Sequence, residues 1–266
     1  MNDRLPRTFI FPGLNSRVVD PACFSVNAED AERFQTLLYP GWPQYVQIGF
    51  SGDKLVEHFA AQIAERAPEG HVRIIGLSVG AHLGYAAALR LQASGYKIDG
   101  FCAVDPYAET TASTTAGWQV RAVREAAALL GDRRYNDFGR FLRSRFWRAQ
   151  LRLAGDPIAG SARRRAPSGR LPWILALDPI FEQELNMRLL IRELAPWVPV
   201  LDREPVALKT PAVLLRLRSN EKADAIWRRR CPRIQVLEIP GDHNSLIEEN
   251  LGSIRESFVA ATRDWD

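Results

Sequence analysis

Gly76-Leu77-Ser78-Val79-Gly80 is the stretch whose residue types and spacing point most directly to chemistry. It matches the G-x-S-x-G pattern, in which a serine sits on a sharp strand-to-helix turn with small residues on either side. HVRIIGLS (71–78) reads as a strand leading in, and Val79–Gln92, rich in Ala and Leu, reads as a helix leading out. Such a helix points its N-terminus at the reacting group and favours developing negative charge. Ser78 is therefore the candidate nucleophile. A serine hydroxyl needs a base, and the chain has four histidines. His58 falls on the polar face of a helical stretch, and His71 opens a strand. His82 lies four residues past Ser78, with its ring expected to leave the side of the helix. His243, in Pro240-Gly241-Asp242-His243-Asn244 after the last strand, is the candidate base. The third member is a carboxylate that orients the imidazole. Asp105 closes the strand GFCAVDP (100–106) and is favoured, because site residues gather at strand ends. Glu221 and Asp224, after the following strand, remain alternatives. Two amides must hold an oxyanion. The Val79 N–H, following the nucleophile, is one expected donor, and the Leu14 N–H in Phe11-Pro12-Gly13-Leu14-Asn15 is the other.

These residues need a scaffold that brings strand ends to one edge. RTFIFPG (7–13) is a short apolar run ending in Pro-Gly and reads as a buried strand. Residues 28–38 read as helix and VQIGF (46–50) as a second strand. Leu55, Val56, Phe59 and Ile63 recur at helical spacing across Lys54–Arg66. From about 108 to 207 no strand is evident, and helices, an arginine cluster and a Pro/Gly/Ser-containing link take its place. Strand character returns at PAVLLRLRS (211–219). A helix over 222–230, a strand over 233–241 and a final helix over about 246–262 follow. Alternating strand and helix predicts an α/β fold with a mostly parallel sheet flanked by helices. A long helical insertion between strands is expected to be a lid or substrate-binding cap. The expected division is a core of 1–107 and 208–266 with a lid of 108–207.

The 266 residues are 46% hydrophobic and 25% charged, which suits a globular domain with a sizeable core. No stretch of about 18 apolar residues exists, so no membrane span is expected. MNDRLPRTFIFPG lacks the features of a signal peptide. Cys23, Cys102 and Cys231 are odd in number and widely spaced, which argues against a disulfide framework or a zinc site. A cytoplasmic location is expected, and no metal or organic cofactor is implied. The formal charge is +4. The excess is local: thirteen arginines stand against four acids between Arg121 and Arg170. Such a cluster suits a phosphate-bearing ligand or an acidic protein, or is simply a solvated face. It lacks a nucleic-acid-binding motif, so no nucleic acid partner is expected.

Several stretches together resemble the thioesterase domains of polyketide synthases and non-ribosomal peptide synthetases, members of the α/β-hydrolase superfamily. FIFPG is similar to the family's opening Phe-Pro-Gly segment, IIGLSVGAHLGYAAAL to its elbow and helix, and FCAVDPY to its acid-bearing strand end. Asn186-Met187-Arg188 with Ala195-Pro196 resembles the helix returning from the lid. PAVLLRLR, Trp227 and EIPGDHNSLIEEN resemble the closing strand, a tryptophan and the base loop. The resemblance covers roughly 7–107 and 180–260 and departs from the family at Ala81, where a second glycine is usual, and at His82 and Asn244. It implies an α/β-hydrolase fold and a triad of Ser78, Asp105 and His243. It also implies a stand-alone thioesterase that releases an acyl, polyketide or peptidyl chain, by hydrolysis or cyclisation. The chain would arrive as a small-molecule acyl group on the phosphopantetheine of an acyl or peptidyl carrier protein, with the arginine-rich lid able to dock that partner. Trp118, Phe138, Phe141, Trp147 and Trp173 would line an acyl pocket or form the lid's own core. A carboxylesterase or acyltransferase on free small esters, and a non-catalytic protein that keeps the fold, are the competing readings.

Overall fold

The computed structural model describes residues 6–14, 19–25, 27–40, 51–106, 115–153, 178–203, 205–217, 221–241 and 251–265. Among the described residues, six strands form one parallel sheet: β1 (Arg7–Phe11), β2 (Phe34–Thr36), β3 (His71–Leu77), β4 (Lys97–Val104), β5 (Ala212–Arg216) and β6 (Ile234–Glu238), in the order β2-β1-β3-β4-β5-β6. The helices are α1 (Ala28–Ala31), α2 (Gly52–Arg66), α3 (Val79–Ala93), α4 (Thr115–Gly131), α5 (Tyr135–Leu153), α6 (Pro179–Arg203), α7 (Glu221–Arg230) and α8 (Leu251–Thr262). This is the α/β-hydrolase fold.

Strands covered on both faces read as continuous apolar runs, and the central ones do. Ile10, Ile75, Leu77, Cys102, Val104, Val213 and Leu215 point to one face and pack with Phe24, Ile254, Phe258 and Trp265. The alternate residues serve the other face, where Phe11 meets Phe59 of α2 at 5.2 Å and Phe101 stacks on Trp227 of α7 at 5.8 Å. Ser51 caps α2 by accepting from Lys54 N–H at 3.1 Å, which starts that helix two residues before the periodicity alone indicates.

Residues 28–38 depart from the expected helix. Asn27 caps only the short α1, and the chain then extends into β2. The ladder explains the change: Thr8 N–H donates to Arg33 O, Leu37 N–H donates to Ile10 O, and Thr36 Oγ1 donates to Val19 O. Long-range pairing with β1 outweighs local helical spacing. The strand expected at 46–50 lies outside the described residues.

The chain divides into two compact units. One comprises Met1–Tyr39, Phe50–Tyr107 and Glu193–Asp266, and the other comprises Pro40–Gly49 with Ala108–Arg192. The sheet belongs to the first. In the second, the described residues are helical. Trp147 packs on Phe181 with ring centroids 4.5 Å apart, and Leu151, Leu185 and Leu189 are buried. Phe138 and Phe141 stack on each other at 6.4 Å. Trp147 thus serves this unit's own core, while the Trp118 side chain and Trp173 lie outside the described residues. Four arginines of this unit are spent on internal pairs: Arg134 with Asp137, Arg143 with Asp178, Arg145 with Glu125 and Arg148 with Glu184. Among the described residues, no helix is long and apolar enough to cross a membrane.

Asp178 gathers three of these contacts. It accepts from Trp147 Nε1 at 2.7 Å, pairs with Arg143 at 2.9 Å and accepts from Ile180 N–H at 3.0 Å. Burial pushes its carboxyl up, but these donors together outweigh burial and hold it below the usual carboxylate range. Stabilisation from Asp178 is therefore present above the unfolded-state value of ~3.9 and is lost as pH falls through the lower folded value. Acid titration followed by Trp fluorescence and circular dichroism is expected to show a loss of stability in that window. Asp178→Asn is expected to be less stable at neutral pH and to show a shallower acid decline.

Candidate active site

β3 carries Gly76 and Leu77 to the carboxyl edge of the sheet, and Ser78 follows at the N-cap of α3 with φ 53° and ψ −122°. A non-glycine residue there is strained, by about 1–3 kcal/mol. The surroundings enforce the turn. Ser78 N–H donates to Val104 O at 2.9 Å, and Ala81 N–H donates to Ser78 O at 3.1 Å. The two glycines of the motif are steric necessities. A Cβ on Gly76 would come within 2.3 Å of Ala81 Cα, and one on Gly80 within 2.4 Å of Phe11 O and 2.5 Å of Pro12 O. The first turn of α3 therefore lies directly on the end of β1.

The register sets the other residues. Leu77 pairs with Val104, and Val104 pairs with Leu215, so Ser78 and Asp105 leave adjacent strands at the same edge. Asp105 also has positive φ, 40°; its N–H donates to Leu215 O at 2.7 Å, and its Oδ1 accepts from Leu217 N–H at 3.4 Å. Both residues are half-buried. Phe11 pairs with Gly76, which places Gly13 and half-buried Leu14 just beyond that edge, beside the elbow. Pro12 O in that loop accepts from Tyr39 Oη at 3.1 Å. β6 runs parallel to β5 and also ends at this edge, at Glu238. His243 follows in the segment 242–250, outside the described residues.

The remaining histidines are engaged elsewhere. His58 Nε2 lies 2.7 Å from the Gln62 side chain, and burial lowers its pKa. His71 begins β3 at the opposite end and sits 3.3 Å from Asp99. Buried His82 turns to α7, where Arg230 donates to its Nδ1 at 2.8 Å. An arginine is always a donor, so His82 accepts at Nδ1 as a neutral ring. Of the alternative acids, Asp224 is ion-paired with Arg216. Glu221 opens α7, and its side chain lies outside the described residues. Burial raises all three cysteine thiols, Cys231 to about 12, so none is a ready nucleophile. Among the described residues, no group of three or more His, Cys, Asp or Glu is arranged to hold a metal.

One cluster was not legible in the sequence. Arg230 closes the run Arg228-Arg229-Arg230, which reads as ordinary basic residues at a helix C-terminus. Its side chain is nevertheless 0% exposed, set between the rings of Tyr85 and Trp227 at 4.7 and 4.8 Å and paired with Asp202 at 2.5 Å. It joins the helix behind the nucleophile to the end of α6.

No family model matches the chain, and no match was found among curated proteins. Solved structures do match. The NocB thioesterase domain in covalent complex with a fluorophosphonate nocardicin G analogue superposes with a TM-score of 0.55 at 15% identity, over 96% of this chain and 93% of that one. The Vlm2 thioesterase domain matches at 0.55 and 16%, over 96% and 93%. RedJ, with a polyethylene glycol molecule in its active site, matches at 0.55 and 17%, over 97% and 90%. The fold is that of these thioesterase domains. At this level of identity the likeness establishes the architecture, and the chemistry rests on the residues.

Ser78→Gly is expected to raise stability by roughly 1 kcal/mol, because relief of strain exceeds the extra freedom given to the unfolded chain. Ser78→Ala, which keeps a Cβ at positive φ, is expected to leave the urea midpoint nearly unchanged. Gly80→Ala is expected to cost ~1–3 kcal/mol or more, because the new methyl meets rigid backbone carbonyls. Urea denaturation of the three variants measures these differences.

Proposed function

We propose that the chain is a serine thioesterase that releases an acyl, polyketide or peptidyl chain from the phosphopantetheine thioester of a carrier protein. The observation that carries this reading is the strained serine at the β3–α3 turn with Asp105 on the neighbouring strand end. The architecture shared with the NocB thioesterase domain and with part of a four-domain non-ribosomal peptide synthetase supports it. In this proposal residues 108–207 are the lid insertion, and 1–107 with 208–266 are the core.

In the proposed reaction, Ser78 Oγ attacks the thioester carbonyl while His243 takes the hydroxyl proton. Asp105 orients the imidazole and stabilises its cation. The amides of Val79 and Leu14 donate to the oxyanion, an interaction whose removal typically costs about 2.7–4 kcal/mol of transition-state stabilisation per donor. The intermediate collapses, the C–S bond breaks, and the proton on His243 passes to the departing pantetheine sulfur. Acyl-Ser78 remains. Water, or a hydroxyl or amine of the acyl chain, then gives its proton to His243 and attacks the ester. Ser78 recovers that proton as the acid or ring is released. Asp105 is preferred over Asp224 because Asp224 already neutralises Arg216.

The reading is tested by incubating the protein with acyl-pantetheine thioesters and matched oxygen esters and following intact mass. A mass shift on Ser78, absent in Ser78→Ala and in samples pretreated with a fluorophosphonate, is expected, with thioesters turned over faster. His243→Ala and Asp105→Asn are expected to lower kcat/KM by roughly 10³-fold or more. Turnover of oxygen esters alone would assign the protein to the esterases, and the absence of any adduct would leave a non-catalytic protein.

A further inference from the structure

Beyond the end of β1 the chain has little of its own to hold it. Pro12 has no N–H to give to a ladder, and Gly13 has no side chain to anchor a turn. Yet this loop carries Leu14, one of the two proposed oxyanion donors. Its hold comes from outside. Tyr39 Oη donates to Pro12 O at 3.1 Å. The same oxygen lies so close to α3 that a Cβ on Gly80 would come within 2.5 Å of it. The Pro12 carbonyl is therefore clamped between the first turn of α3 and the tyrosine hydroxyl.

The clamp reaches both proposed donors. Val79 precedes Gly80 in the turn that touches this carbonyl, and Leu14 follows the carbonyl by two residues. The peptide plane between Pro12 and Gly13 is rigid, so pointing its oxygen at Tyr39 fixes where Gly13 begins. Gly13 swings widely when nothing restrains it, and the Leu14 N–H swings with it. Oxyanion donors act when held at about 2.7–3.1 Å from the developing charge, so freedom in this plane is freedom the site must not have.

Tyr39 is itself held in place. The pairing of β2 with β1 runs on to Leu37, whose N–H donates to Ile10 O at 2.9 Å two residues earlier. Pro40 favours an extended backbone at Tyr39. The half-buried ring of Tyr39 stands edge-on to Phe59 at 5.5 Å, and Phe11, next to Pro12, stands edge-on to the same Phe59 at 5.2 Å. Phe59 is fully buried. One core ring thus references both the hydroxyl and the carbonyl it holds. Packing on Phe59 needs only the tyrosine ring; the hydroxyl is what reaches the loop.

We infer that Tyr39 is a positioning residue for the oxyanion site, its hydroxyl holding the Pro12–Gly13 peptide so that the Leu14 N–H meets the oxyanion formed on Ser78. This rests on the catalytic reading above. It bears on acylation and deacylation alike, because each passes through such an oxyanion.

Tyr39→Phe removes the hydroxyl and keeps the ring. Three quantities are measured on the full chain: turnover of acyl-pantetheine, inhibition by an acyl trifluoromethyl ketone, and the fraction of active sites titrated by a fluorophosphonate. Addition of Ser78 Oγ to the ketone carbon leaves an oxyanion where the reaction forms one. Per active site, kcat is expected to fall roughly tenfold or more with KM within twofold. Ki for the ketone is expected to rise by the factor by which kcat/KM falls. Tyr96→Phe removes a hydroxyl that donates to Ala64 O at 3.4 Å, at the opposite end of β4 from Asp105, and is expected to change none of these. Fewer active sites with unchanged kcat per site would show a purely structural role and overturn the inference. A rise in KM that accounts for the whole loss would also overturn it, as would an unchanged Ki beside a lowered kcat. Wild type that turns over only oxygen esters would overturn the thioesterase reading alone, and the same changes in kcat and Ki with those esters would still support the inference. Wild type that takes neither fluorophosphonate nor ketone would overturn both.

Discussion

The contact on which the site depends is the one between the first turn of α3 and the end of β1. Phe11 O and Pro12 O lie where a side chain at position 80 would be, and Ala81 lies where one at position 76 would be. This closeness forces the sharp turn, and the turn puts Ser78 at positive φ. The same contact brings the loop holding Leu14 beside the elbow. One packing constraint thus fixes both the nucleophile and the neighbourhood of the proposed oxyanion donors. The strain at Ser78 is held by hydrogen bonds to Val104 and Ala81, so the sheet supplies the energy that keeps the serine presented.

Behind the nucleophile, the structure places a full charge in the core. Burial disfavours the Arg230 cation, while the pair with Asp202, the acceptor on His82 and the faces of Tyr85 and Trp227 compensate it. The main chain adds to the same junction, because Leu208 N–H donates to Arg230 O at 2.7 Å. α3, α7 and the end of α6 are therefore locked by directional contacts as well as by apolar packing. Removing one member of such a group strands the others, so the cluster tolerates little change.

The parts of this arrangement that were legible in the sequence are those fixed by local rules. The Gly-x-Ser-x-Gly turn carries its steric reason in its own residues, and the central strands announce themselves as unbroken apolar runs. The position of Asp105 at a strand end was legible, and the register puts that strand end next to the one that leads to Ser78. The parts that were not legible depend on distant partners. Phe34–Thr36 becomes strand only because β1 offers it a ladder. Arg230 is indistinguishable in sequence from its solvated neighbours until the helix packs against Tyr85.

The placement of the helical insertion between β4 and β5 bears on how the chain is made. Phe101 pairs with Ala212 and Val104 with Leu215, so this central ladder cannot close until everything from 105 to 211 has been synthesised. At about 5–20 residues per second, the apolar edge of β4 waits roughly 5–20 s on the ribosome without its neighbour. An unpaired strand edge of that kind invites pairing with other chains. The insertion that the finished protein carries between these strands is thus also a delay during biogenesis. The nascent half-sheet is the species that a chaperone would need to shield.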